Sequence, residues 1–308
     1  MKTILIRMLL LFLLLVGCAN TPNNPSGSQQ NEPPGFQQDI RTPNVPNKLD
    51  FAGEIVPLEY FDVAEPFIRE LSIICYWHAS TMYFAKLSHR FFPIIEPILQ
   101  REGVPNDFKY LCVAESGLQQ VISPAKAVGF WQFLEATGKE YGLEINSEVD
   151  ERYHIEKATV AACAYLKKAY EKYGSWTMAA AAYNTGMANT DKQIGRQKQT
   201  SYYDLLLHDE TMRYIFRILA LKTVLSNLES YGFFIRKDEL FPPLSWTEVA
   251  ISDSVASWAD FAEQHGTNYK ILKYLNPWLR DVALTNKAKK TYVVKIPGPG
   301  FRTTTVDL

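Results

Sequence analysis

The chain has 308 residues, 47% of them hydrophobic and 21% charged, with a formal net charge of -1. That length suits one or two globular units, and that apolar share excludes a largely disordered chain. The balanced charge argues against a nucleic-acid partner, four cysteines without paired spacing make no disulfide framework, and five scattered histidines make no metal cluster.

Lys2 and Arg7 give the N-terminus a positive start, and Met8 to Val16 is an unbroken apolar run. Spanning a bilayer takes about 20 apolar residues, so this shorter run reads as a secretory signal over residues 1–17. It ends in Leu15-Val16-Gly17-Cys18, which resembles a bacterial lipobox with Cys18 as the lipidated residue. The alternative is an ordinary signal whose cysteine is incidental. Residues 18–50 are rich in Asn, Pro, Ser, Gln and Gly and read as a solvated linker between membrane and fold.

From about Val63 the apolar spacing becomes helical. Phe67, Leu71, Ile74 and His78 share one face, as do Phe91, Ile94 and Ile98. These define an N-terminal helical region over 51–91 that packs on a domain over 92–235. Within that domain the periodicity predicts helices at 107–116, 132–141, 155–173, 175–184 and 209–229. Pro242-Pro243 marks a boundary. Beyond it, over 245–298, strands at 247–251 and 291–296 flank helices at 256–264 and 268–275. The expected fold is mainly α, followed by a small βααβ module. Cys75, Cys112 and Cys163 fall in apolar helical patterns and read as buried small residues.

Three motifs carry chemistry. In Phe108-Lys-Tyr-Leu-Cys-Val-Ala-Glu115-Ser116-Gly117, the residues Phe108, Leu111 and Cys112 form an apolar stripe, and Glu115 lies on it. A carboxyl half sunk among apolar groups is disfavoured as an anion, the condition a general acid needs near neutral pH. Alone, the same pattern fits a glutamate reaching out to solvent or to a lysine. Ser123-Pro-Ala-Lys126-Ala-Val-Gly129-Phe-Trp131-Gln132-Phe133 follows, with no acid between Glu115 and Glu135. Gly129 permits close backbone approach, and Gln132 offers a donor and an acceptor suited to sugar hydroxyls and acetamido groups. The bland reading is a loop entering a helix. Lastly, Ala179 to Ala182 permit close helix packing ahead of Tyr183 and Asn184, with Gly186 as the stop. By itself that is a helix end capped by Asn.

In this order the three motifs resemble the family 1 lytic transglycosylases: Glu-Ser, then Gly-x-x-Gln, then Ala-Tyr-Asn. The Trp131-Gln132-Phe133 variant is similar to the membrane-bound lytic murein transglycosylase D group, as are Tyr141-Gly142-Leu143, Asp150-Glu151-Arg152 and Glu210-Thr211-x-x-Tyr214. The resemblance covers roughly residues 90–230. It implies a lysozyme-like helical catalytic (SLT) domain, with Glu115 as the single catalytic residue and Ser123, Gln132, Tyr183 and Asn184 binding substrate. No cofactor or metal is implied. One departure is Lys126, where the family often has Gly. Another is a slightly shortened spacing from Glu115 to Ser123.

The implied reaction cleaves the β-1,4 bond from N-acetylmuramic acid to N-acetylglucosamine and forms 1,6-anhydro-N-acetylmuramic acid, without the second carboxylate of common glycosidases. The rivals are a muramidase hydrolase on the same fold and a non-catalytic, lipid-anchored peptidoglycan-binding protein. Implied partners are peptidoglycan glycan strands and, through Cys18, a membrane. The implied location is the bacterial envelope, facing the periplasm, on the outer membrane. The 245–298 module resembles a divergent LysM, a fold that binds N-acetylglucosamine chains. The alternative is a structural cap. A glycan-binding module on a tether would raise effective concentration on whole walls and matter little for short strands.

Overall fold

A computed structural model describes residues 41–303. The signal and Cys18 lie outside the described residues. A two-stranded hairpin comes first, β1 (Asp50–Phe51) against β2 (Glu54–Ile55). Its two turn residues, Ala52 and Gly53, both have positive φ, as a tight primed turn requires. Asp50, read above as the last linker residue, therefore already belongs to the fold. Phe51 is fully buried with its ring edge-on to Phe108. The Glu54 carboxylate accepts from the Thr177 amide at 2.9 Å and the Ser175 hydroxyl at 2.8 Å, completing the N-terminus of a distant helix.

Helix α1 (Phe61–Tyr76) buries the stripe Val63, Phe67, Leu71 and Ile74. It breaks at Trp77, so His78 opens α2 (His78–Arg101) instead of extending the α1 face. Helix α2 runs without interruption through the expected boundary at 91/92. Helix α3 (Phe108–Ser116) ends at Gly117, whose φ of 60° is left-handed and whose missing side chain leaves room for the Phe84 ring. The helix expected over 132–141 shrinks to α4 (Glu135–Glu140). Residues 128–133 form a tight turn instead: the Val128 amide donates to the Phe133 carbonyl at 3.0 Å, and Gln132 takes a φ of 50°.

Helices α5 (Ile155–Tyr173) and α6 (Trp176–Thr185) follow, with Ser175 capping α6. Ala179 to Ala182 are buried, which lets α6 pack closely against its neighbours. Helix α7 (Met187–Gln197) was not predicted, because it is polar and buries only Thr190. Helix α8 (Asp209–Leu225) closes the helical part and packs along α1, α3 and α6.

The C-terminal module is a βααβ unit. Strand β3 (Trp246–Ile251) pairs antiparallel with β4 (Tyr292–Pro297), Trp246 opposite Pro297, around α9 (Trp258–Gln264) and α10 (Tyr269–Leu275). Its core is not closed on itself. Trp258, Leu272, Trp278 and Val294 form one buried cluster with Val128, Val149 and Tyr153 from the helical part. Backbone bonds stitch the same seam, with the Asp150 amide donating to the Trp278 carbonyl at 2.9 Å and the Arg280 amide to the Glu148 carbonyl at 2.7 Å. The Lys295 ammonium pairs with Glu156, whose carboxyl burial pushes up but whose His154 and Lys295 partners hold at about 2.

Candidate active site

Glu115 is the last residue but one of α3. The stripe that anchors the helix, Phe108, Leu111 and Cys112, is fully buried, so the register of α3 carries Glu115 to the edge of the core. It is half-buried and lines a cavity of about 540 Å³ with Trp77, Phe84, Gln119 and Val121. Burial raises its pKa to about 7, against the opposing pull of a hydrogen bond from Tyr214 and the nearby Arg217, while Glu210 adds a smaller upward push. The Tyr214 hydroxyl donates to Glu115 Oε1. Tyr214 belongs to α8 and is itself buried, so its ring is fixed by packing and its hydroxyl faces the carboxyl.

The loop after α3 is tied back to it. The Ser116 hydroxyl donates to the Phe130 carbonyl at 2.9 Å, and the Cys112 thiol reaches the same oxygen at 3.5 Å. Gln132 donates from Nε2 to the carbonyls of Gly129, at 2.8 Å, and Val121, at 3.1 Å. Ser123 opens a turn in which its Oγ accepts from the Ala127 amide at 3.0 Å and its carbonyl from the Lys126 amide at 2.8 Å. Lys126 has a φ of 64°, the left-handed conformation that favours glycine, which explains why its position suits Gly in the family it resembles.

Gly129 also has positive φ, but the group it approaches is not a ligand. A Cβ there would meet the Arg152 carbonyl oxygen at 2.2 Å. Arg152 in turn holds Asp150 through Nη2 at 2.7 Å and Nε at 2.9 Å, and donates from Nη1 to the Phe133 carbonyl at 3.2 Å.

Tyr183 and Asn184 complete the frame. The Tyr183 hydroxyl donates to the Trp131 carbonyl at 2.7 Å, joining α6 to the Gln132 turn. Asn184 Oδ1 accepts from the Thr211 hydroxyl at 2.7 Å, joining α6 to the helix that carries Tyr214. Of the five residues expected in the site, Glu115 lines the cavity. Gln132 reaches it through its bond to the lining residue Val121. Ser123, Tyr183 and Asn184 are engaged by hydrogen bonds to Ala127, Trp131 and Thr211, which are not among the lining residues. Sequence reasoning quoted Tyr214, Thr211 and Arg152 without giving them roles. It missed Glu70, Arg213 and Arg217, which line the same cavity and whose only sequence signal is charge on helix faces that otherwise read as solvated.

Residues 92–206 match the transglycosylase SLT domain family, and residues 247–300 match the soluble lytic transglycosylase C-terminal LysM-like domain. The membrane-bound lytic murein transglycosylase D proteins of Escherichia coli strain K12 and of strain O6:H1 CFT073 are each 28% identical to this chain over 192 residues. That alignment takes in 60% of this chain and 42% of each relative, so the chain spans less than half the length of the curated relatives it matches.

Proposed function

We propose that this chain, an SLT transglycosylase domain followed by a LysM-like domain, is a peptidoglycan lytic transglycosylase. Its substrate is the β-1,4 bond from N-acetylmuramic acid to N-acetylglucosamine. The observation that carries this reading is the state of Glu115, a half-buried carboxyl at a cavity wall with a pKa of about 7. At neutral pH such a group is divided between acid and base, which suits a residue that must act as both. Glu70, the other carboxyl lining the cavity, is taken by Arg213 at 2.7 Å. A hydrolase that activates water with a second carboxylate needs one free on the opposite side of the bond.

The chemistry follows from one residue in two roles. Protonated Glu115 donates to the glycosidic oxygen as the bond from C1 breaks. The 2-acetamido group of the substrate supports the positive charge at C1. Glu115, now a carboxylate, takes the proton from the C6 hydroxyl, whose oxygen attacks C1 and closes the 1,6-anhydro ring. Tyr214 keeps the carboxyl in one orientation through both steps. Gln132, Ser123, Tyr183 and Asn184 are assigned to sugar binding, with Gln132 closest in chemistry to an acetamido partner.

Mass spectrometry of digested murein sacculi tests the reading. Anhydro-muropeptides are expected from the natural protein. Glu115→Gln should lower their release by about a hundredfold or more while binding persists. Reducing ends in their place would make the protein a muramidase, and unchanged release from Glu115→Gln would remove that residue from the mechanism.

For location, the curated relatives are named as membrane-bound, which favours the cell envelope. The finer proposal is a lipid anchor at Cys18 on the outer membrane, facing the periplasm. Multiple acyl chains hold a protein firmly where one alone is marginal. Cys18→Ala should therefore leave the membrane fraction after a salt wash, and retention equal to the parent would refute the anchor.

A further inference from the structure

Glu70 sits in α1 with its side chain almost fully buried, and it faces two arginines of α8. Arg213 donates from Nε to its carboxylate at 2.7 Å, and Arg217 Nε lies 3.8 Å away. One carboxylate thus faces two guanidinium groups, and the other charges acting at this site are Glu115, which feels Arg217, and Glu210, which acts on Glu115. Both contacts use Nε. The terminal nitrogens of both arginines have no protein hydrogen-bond partner among the described residues. About a third of each side chain remains accessible, and both line the cavity that holds Glu115. Arg213 and Arg217 lie one residue before and three residues after Tyr214 on the same helix, so the backbone that positions Tyr214 also positions them. None of the three residues falls within the matched SLT segment.

A planar guanidinium held at one edge and open at the other is arranged to take a carboxylate through two parallel hydrogen bonds. We propose that Arg213 and Arg217, oriented by Glu70, form a carboxylate subsite beside Glu115 that binds an acidic group of the glycan strand. This rests on the peptidoglycan reading given above. Two sources carry that chemistry: the lactyl carboxylate of a muramic acid without its peptide, and the carboxylates of the peptide stem. Filling the subsite also bears on Glu115. The charge on Arg217 favours the ionised form of Glu115, and a bound carboxylate offsets that charge, so substrate favours the protonated acid.

The test measures binding to soluble glycan strands in a Glu115→Gln background, where neither turnover nor Glu115 ionisation intervenes. Three ligands are compared: strands bearing peptides, strands stripped of them, and strands whose carboxylates are capped as neutral amides with ethanolamine. The Glu115→Gln protein should bind capped strands about tenfold more weakly, a comparison that needs no arginine variant to fold. Adding Arg217→Gln, which leaves the Glu70–Arg213 pair in place, should cost about tenfold on uncapped strands and nothing on capped ones. Arg217→Lys should recover only part of that loss. A loss confined to stripped strands assigns the subsite to the lactyl group, and one confined to peptide-bearing strands assigns it to the stem. Equal binding of capped and uncapped strands, or an equal loss on both, overturns the proposal. Failure of the lytic reading is seen separately, as missing anhydro ends in digests by the natural protein.

Discussion

At Glu115 two opposing influences on one proton meet. Burial favours the neutral acid, while the Tyr214 hydroxyl and the charge of Arg217 favour the anion, and burial wins with a pKa of about 7. The proposed first step needs the protonated form, so activity should fall as pH rises through that value. Tyr214→Phe removes a donor to the carboxylate and keeps the buried ring. The anion loses support, the pKa of Glu115 rises, and the basic limb of the pH–rate profile should move to higher pH. A hydrogen bond to a charged group is worth about 1.5–3 kcal/mol, so kcat should drop by roughly ten- to a hundredfold as orientation is lost. A lower kcat with an unmoved limb would mean that the tyrosine positions the carboxyl without affecting its proton.

Among the elements, the segment from Gly117 to Phe133 depends most on contacts remote in sequence. It has little regular structure, and it is held by Ser116, Gln132, Arg152 and Tyr183 through carbonyls at known distances. Gly129→Ala would push a methyl group into the Arg152 carbonyl and demand a left-handed backbone from alanine. It should cost at least about 2 kcal/mol in urea denaturation and lower activity with it. This segment also marks how far the amino-acid sequence can be read. Helices with a buried stripe, such as α3, α5 and α8, announce themselves through spacing, and so Glu115 was legible from its place on one. The turn at Gln132 was not, because a positive φ at a glutamine is imposed by the bonds its side chain makes to Val121 and Gly129. The Glu70–Arg213 pair was not either, since its members lie 143 residues apart and each alone reads as a surface charge.

The C-terminal module changes the picture of the whole molecule. As a tethered glycan binder it would be dispensable for short strands. Instead it shares a core with Val128, Val149 and Tyr153, and Val128 sits in the same turn as Gln132. Ending the chain after Leu240 would expose those three side chains, at about 1.5–3 kcal/mol each, and leave Glu156 without Lys295. That is comparable to the whole stability of an ordinary domain. The truncated protein should therefore lose activity on short soluble strands as well as on sacculi, with a lowered melting temperature. Undiminished cleavage of short strands would restore the tether view. A similar dependence runs through the other end of the SLT segment. Residues 92–206 begin inside α2 and stop before α8. A gene fusion that transplanted only that stretch would bring Glu115 without the phenol it bonds, Asn184 without Thr211, and half a helix without its first turns. In this chain the heritable signature is shorter than the smallest stretch that carries the whole candidate site.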